Sequence, residues 1–331
     1  MSVFWAKVWS RRQGWALTFW PISWVYGCLW RIRAKLYHWG VWRTHRLPVP
    51  VLVVGNVFIG GTGKTPITIE LVRRLRDLGW QPGVVSRGHG RKHLSPQEVR
   101  SDSSADQVGD EPLLIHRQTG VPLVVANDRA LAGRVLIGLH PEVNLIVCDD
   151  GLQHLALERD VELCVFDARF LGNGWLLPAG PLREPWPRFS KPGVQSHALS
   201  SQPCPLPGAW SVRRTLAHLA INGHGDTMVW SDCRQPVRAL AAIAQPQAFF
   251  NLLIEAGVPL HDPLSWPDHD PLLAWNPRPG ETWFCTEKDA VKIWPRHPQV
   301  WAIPLNVVIE PALITQIDQE LRAKLSSPHG H

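Results

Sequence analysis

A chain of 331 residues is long enough for one large or two medium domains with a full core, which excludes a small disulfide-stapled scaffold. Its six cysteines include no C-x-x-C pair, so reduced thiols in a cytosolic setting are expected, with no zinc site and no cleavable signal segment. The net charge of +6 is uneven: residues 1–50 carry eight Lys or Arg and no acidic residue, leaving −2 for the remainder.

That basic stretch also holds eight of the eighteen tryptophans, from Trp5 to Trp42. Tryptophan beside arginine suits the membrane–water boundary, where the ring sits at headgroup depth and the cation meets anionic lipid. Residues 1–48 are therefore read as a membrane-associated helical arm, peripheral or monotopic. A true span is the weaker alternative, because Gln13, Gly14, Thr18, Pro21, Ser23 and Gly27 interrupt the uncharged run. A plain helical hairpin covering the core is the other, and no motif supports nucleic-acid binding.

Val51 to Val54 is a short, β-branched, wholly apolar run, expected as a buried strand. Gly55, Asn56, Gly60, Gly61, Thr62, Gly63, Lys64, Thr65 and Pro66 follow, and a helical apolar pattern continues to Leu78. Strand, glycine-rich loop and helix start in this order make a P-loop: backbone N–H groups close on phosphate, Lys64 reaches the β- and γ-phosphates, and Thr65 offers a hydroxyl to Mg²⁺. Phe58 stands where the usual pattern has glycine.

Further strands are expected at Gln81 to Ser86, Pro122 to Ala126, Asn144 to Cys148 and Val161 to Phe166, with helices opening at Val108 to Pro112 and over Asp128 to Leu139. Residues 93–107 read as a polar loop after the SRGHGRK turn, Ser86 to Lys92. Strands and helices alternating at these spacings predict an α/β, P-loop NTPase-like fold, a mostly parallel sheet with helices on both faces. The core is placed at 49–190 and a proline-rich connection at 191–208. A smaller C-terminal α/β domain is placed at 209–331, with strands in 209–230, 237–244, Thr282 to Cys285 and Trp301 to Pro304, and helices over Pro246 to Ala256 and Ala312 to Leu325.

The strand NLIVCDD ends in Asp149 and Asp150, as a Walker B element does; a carboxylate there can hold Mg²⁺ directly or through water. Gln153 and His154 follow at once, one able to orient metal-bound water, the other to meet phosphate or rest as a loop histidine. Gly180 to Pro185 offers Arg183 as a cation and Glu184 as a carboxylate. Asp110 and the Asp268-His269-Asp270 turn contain the carboxylate and imidazole that a proton acceptor needs, although each could be only a cap or a turn. Thr286 to Asp289 looks like a scrambled guanine-reading motif, yet no Asn-Lys pair occurs anywhere.

Taken together, VGNVFIGGTGKTP (Val54 to Pro66), SRGHGR, VGDEP, ANDR (Ala126 to Arg129), DDGLQH (Asp149 to His154), GPLREP, PDHD and TEKDAVK (Thr286 to Lys292) run in order along the chain. This series resembles the tetraacyldisaccharide 4′-kinases, the lipid A 4′-kinases of Gram-negative bacteria, over essentially the whole length. The resemblance implies transfer of the γ-phosphate of ATP, with Mg²⁺, to the 4′-hydroxyl of an acylated glucosamine disaccharide 1-phosphate, forming lipid IVA at the cytoplasmic face of the inner membrane. It implies that Gly60 to Pro66 hold the nucleotide and that Asp110, paired with His269, accepts the hydroxyl proton. Thr65, Asp149, Gln153 and Glu184 would hold metal. Asp149 and Asp150 would organise the reacting groups. Arg183 would stabilise phosphate charge, and Asn56, Arg129 and His154 would meet substrate. The family more often shows two histidines where this chain has His269-Asp270, and it tolerates a non-glycine at the Phe58 position. No protein partner is called for, whereas the alternative function, a membrane-tethered nucleotide switch, would require one.

Overall fold

The computed structural model describes residues 3–91, 95–202, 206–233 and 235–326. Lys92 of the SRGHGRK turn, the first residues of the polar loop and residues 203–205 of the proline-rich connection lie outside them.

The arm forms α1 (Val3–Ser10) and α2 (Trp15–His38). The core then runs β1 (Val51–Gly55), α3 (Lys64–Asp77), β2 (Pro82–Ser86), β3 (Gln97–Glu98), α4 (Ala105–Val108), α5 (Asp110–Thr119), β4 (Leu123–Val125), α6 (Arg129–Leu139), β5 (Leu145–Asp149), β6 (Val161–Phe166), β7 (Gln195–Ser200) and β8 (Trp210–Leu216). After these come β9 (Leu219–Ile221), β10 (Thr227–Val229), β11 (Arg238–Ala241), α7 (Pro246–Glu255), β12 (Leu264–Ser265), β13 (Trp283–Thr286), α8 (Glu287–Ile293), β14 (Trp301–Ile303), β15 (Leu305–Ile309) and α9 (Pro311–Ser326).

Among the described residues the larger sheet has the order β15-β8-β7-β6-β1-β5-β2-β4-β3, parallel except at its two outermost pairs. Period-two alternation splits β1 between its faces: Leu52 and Val54 pack with Ile67, Leu71 and Leu75 of α3, while Val51 and Val53 pack with Leu136 of α6. Strands covered on both sides have to be apolar throughout, which is why this part is plain in the sequence. β5 lies directly beside β1, with Val54 opposite Asp149, so the acidic strand end stands next to the phosphate loop at the carboxyl edge, where ligands of open α/β sheets bind.

The division expected around 191–208 does not coincide with the sheets. β7 falls inside the presumed connection and pairs with β6 along its whole length; β8 and β15 extend the same sheet, and Leu313, Ile317 and Leu321 of α9 pack onto its core. The sequence QSHALS hides this strand because Gln195 and Ser196 are exposed and the buried His197 is satisfied from a distance, meeting Glu320 of α9 at 2.8 Å. The smaller sheet, β10-β9-β14-β13-β11-β12, spans only β9 to β14.

α2 inverts the usual amphipathic logic. Its buried face is Ala16, Ser23, Gly27, Trp30 and Ala34, at helical spacing and mostly small. Ser23 accepts from Ala179 N and donates to Leu176 O, both at 2.8 Å, and Tyr26 Oη donates to Arg183 O at 2.5 Å. Trp15, Leu17, Trp20, Ile22, Trp24, Val25, Leu29 and Ile32 are exposed. No helix among the described residues is long and apolar enough to cross a membrane.

Candidate active site

The loop after β1 is braced from within. Asn56 is fully buried; its Nδ2 donates to Phe58 O (2.7 Å) and Gly60 O (3.3 Å), and its Oδ1 accepts from Lys64 Nζ at 3.2 Å. Both ends of the amide are thus engaged inside the loop. α3 starts at Lys64, so Thr65 and Pro66 sit in the first turn, where the N–H that proline lacks would have no helical partner anyway. The buried Thr62 hydroxyl has no protein partner.

Lys64 Nζ also stands 3.4 Å from Asp150 Oδ1, and Arg183 Nη1 stands 3.4 Å from Asp150 Oδ2. Burial alone would raise the Asp150 carboxyl, but these two cations outweigh it and hold it down at about 2. Its backbone is left-handed at φ 50°, an uncommon conformation for a residue with a Cβ and one that concentrates at functional sites. Asp149 behaves oppositely. It is buried and accepts from Thr68 Oγ1 at 3.0 Å, and burial with the like charges of Glu111 and Asp150 raises its pKa. The two adjacent aspartates are thereby driven apart in proton affinity.

Around Asp150, Arg129 is buried, with Nη1 on Asn127 O at 2.8 Å, and its backbone N–H points at His154 Nε2 at 3.4 Å. Burial and Arg129 push His154 down to about 4, so near neutral pH it is an uncharged hydrogen-bonding group. Glu184 has no exposed surface; its Oε1 accepts from Gln153 Nε2 at 2.7 Å and forms an ion pair with Arg188 Nε at 3.1 Å. Glu184 Oε1 thus holds Gln153, whose own oxygen is left towards Arg183 at 3.5 Å, while among the described residues the buried Glu184 Oε2 has no hydrogen-bond partner.

Asp110 opens α5 where two backbones touch. A Cβ on Gly109 would lie 3.1 Å from Gly88, and one on Gly88 would lie 2.6 Å from Val108 O; both residues have positive φ, so only glycine permits this approach. His269 Nδ1 lies 3.2 and 3.1 Å from the two Asp110 oxygens, and His269 is left-handed as well, at φ 63°. Burial opposes ionisation of Asp110, but the His269 hydrogen bond and the charges of Lys288 and Lys292 bring it to about 2. Burial would lower His269, yet Asp110 raises it on balance. Asp270 turns to its own backbone, accepting from Leu272 N at 2.7 Å, and takes no part in the pair.

Sequence reasoning missed the cations here. Lys288 Nζ stands 3.0 Å from Glu111 Oε1, 3.3 Å from Asp268 Oδ1 and 3.4 Å from His269 Nε2. Lys292 meets Asp289 at 2.8 Å and Asp110 at 4.0 Å. TEKDAVK thus carries a helix face, Lys288 and Lys292 at i and i+4, aimed at α5, and its likeness to a guanine reader was accidental. The same spacing on α3, Lys64 and Thr68, was the available signal for the Asp149 partner.

Fold and site together define the class: a P-loop protein equipped to move a phosphoryl group onto a hydroxyl, since a mere nucleotide switch has no use for the Asp110–His269 pair. The chain belongs to the family described as tetraacyldisaccharide-1-P 4′-kinase, whose profile matches residues 15–322. It is 49% identical over 326 residues to a tetraacyldisaccharide 4′-kinase of Acidovorax ebreus, covering 97% of this chain and 95% of that one. A Polaromonas naphthalenivorans protein of the same name is 45% identical, covering 98% and 97%. The crystal structure of LpxK from Aquifex aeolicus in complex with ATP superposes with a TM-score of 0.80 at 26% identity, covering 93% of this chain and all of that one.

Proposed function

We propose that the chain transfers the γ-phosphate of ATP to the 4′-hydroxyl of a tetraacyldisaccharide 1-phosphate, giving lipid IVA, while lying on the cytoplasmic face of the inner membrane. The observation that carries the reading is the pair formed by Asp110, at the start of α5, and His269, in the turn after β12, with α5 packed beside the α3 helix that begins at Lys64. Lys64, the loop N–H groups and the α3 N-terminus bind the phosphates. Asp110 takes the hydroxyl proton as the new P–O bond forms and His269 shares it, while Arg183 balances charge on the transferred group.

The residues fit Mg²⁺. Thr65, Asp149 and Asp150 supply oxygen donors, and buried Asp150 Oδ1, ion-paired with Lys64 at 3.4 Å, has no hydrogen-bond partner among the described residues, as suits an ion that takes few protein oxygens and completes its shell with phosphate and water. Among the described residues no group of three or more His, Cys, Asp and Glu could hold an ion alone. When bound, the ion supplies charge neutralisation on the β- and γ-phosphates; Gln153 is placed to hold water beside it.

The test is transfer from ATP to a tetraacyl disaccharide 1-phosphate by purified protein in detergent. No transfer, or undiminished transfer by Lys64→Ala, sinks the proposal.

A pH profile follows from the two shifts. Asp110, depressed to about 2, adds stability above about pH 4 that is lost as pH falls through its folded value. His269, raised, adds stability that is complete below about pH 6.5 and is lost as pH rises through its folded value. The ion pair is strongest between these limits, but a protonated imidazole cannot help receive a proton. Hence kcat is expected to rise with pH through a value above the ordinary histidine range. His269→Ala should remove that limb from a kcat profile taken between about pH 5.5 and 9; an unchanged limb overturns the assignment.

The exposed apolar face of α2, flanked by Arg31 and Arg33, matches an amphipathic helix lying in the headgroup layer. Trp24→Ser with Leu29→Ser removes two side chains about 60% exposed. Since a fully buried side chain of this size contributes about 1.5–3 kcal/mol, vesicle affinity is expected to fall at least about tenfold. Sedimentation with anionic vesicles measures this, and equal binding by the double variant refutes the docking face.

A further inference from the structure

Three carbonyl oxygens of the phosphate loop are held by two arginines that the chemistry above leaves unused. Arg214, on β8, donates from Nη2 to Thr62 O at 3.0 Å and Gly63 O at 3.3 Å. Arg169, just beyond β6, donates from Nη2 to Gly61 O at 2.8 Å, and its guanidinium lies over the Phe58 ring, 4.3 Å from the centroid. Asp167 grips Arg169, with contacts between 2.5 and 3.1 Å, and its charge also acts on Arg214. Gln245, ahead of α7 in the smaller sheet's unit, donates to Asp167 Oδ2 at 2.7 Å.

A loop that binds phosphate through backbone N–H groups must turn its carbonyls the other way. Unpaired carbonyls would leave those peptide planes free to rotate. Charge-assisted bonds from a rigid guanidinium fix them. The approach is close enough to dictate sequence: a Cβ on Gly63 would lie 2.6 Å from Arg214 Nη1, and one on Gly61 would lie 2.9 Å from Ala244 Cβ. The aromatic residue at position 58, odd for a P-loop, is the platform on which Arg169 rests.

We propose that Arg214 and Arg169 are positioning residues for the nucleotide, fixing the loop carbonyls so that its N–H groups meet phosphate, and that Asp167 and Gln245 make nucleotide affinity depend on how the smaller sheet's unit docks. The inference rests on reading Gly60 to Pro66 as the phosphate site of ATP.

The experiment measures equilibrium ATP binding, KM for both substrates and melting temperature for the full chain in detergent, comparing the parent with Arg214→Ala, Arg214→Lys and Gln245→Ala. Loss of charge-assisted bonds should weaken ATP binding by Arg214→Ala about tenfold or more, with KM for the lipid within about twofold and the melting temperature near that of the parent. Arg214→Lys should recover part of the loss, because an ammonium can serve one carbonyl but not the fork. Gln245→Ala, which removes one contact between the units and leaves the arginines in place, should weaken ATP binding by roughly two- to tenfold. Parental ATP affinity in Arg214→Ala overturns the proposal, as does a loss shared equally by both substrates together with a lowered melting temperature. Should Arg214→Ala not fold, Gln245→Ala decides, and parental affinity there overturns the coupling. A parent that binds no ATP defeats the nucleotide-site reading instead, so the two failures are distinct.

Discussion

Asp110→Asn is expected to lower kcat by about 10²–10⁴-fold, the usual cost of losing a general base, while leaving ATP affinity close to that of the parent. The substitution keeps the shape of the side chain and a possible contact to His269 but removes the charge that accepts the proton. Asp110 is nearly buried and is held ionised by His269, Lys288 and Lys292. None of these can replace it: the lysines are cations, and His269 without its carboxylate loses the partner that raises its basicity. Single-turnover transfer measured at saturating ATP isolates the step. A kcat within about tenfold of the parent would falsify the assignment and move the proton to another acceptor, or to water.

Much of the fold was open to reading because buried parallel strands leave no choice of residue. VLVVG and LIVCD are apolar up to the glycine and aspartate that the carboxyl edge uses, and VELCVF departs from this only at Glu162, which is ion-paired with Arg159 and Arg188. β7 was hidden because its buried histidine finds a partner on α9, a long-range fact absent from local composition. The same limit applied to the site. Lys64, Asp149 and Asp150 were visible from their own motifs, and the pairing of Asp110 with His269 was implied by the family resemblance before the fold brought the two residues together. Lys288 and Arg214 act only because the smaller sheet's unit and β8 fold back beside the loop and α5, and Arg169 meets the loop only because β6 lies beside β1. That Asn56 is engaged at both ends of its amide, and Glu184 at Oε1, was not visible in the sequence, because the partners come from the folded loop and from Gln153 and Arg188.

The largest stability effect is expected at Arg188. Arg159, Glu162, Glu184 and Arg188 form a buried network of two cations and two anions, each side chain at most 6% exposed. Arg188 bonds both carboxylates, and although burial disfavours its charge, Glu184 and Glu162 raise its pKa on balance. Arg188→Ala leaves two carboxylates facing one remaining cation with no water to solvate them, and stranding a buried charge costs about 3–5 kcal/mol. A second change that removes the stranded charge, Glu184→Gln, should return part of that loss, because adjacent sites of one network are not additive. Denaturant melts of the single and double variants measure both quantities. The same network positions Gln153 through Glu184, so the single variant should also lose transfer activity under conditions where it is still folded. Destabilisation below about 1 kcal/mol would mean that water reaches the carboxylates once the arginine is gone, and would overturn the reading of this network as a dry one.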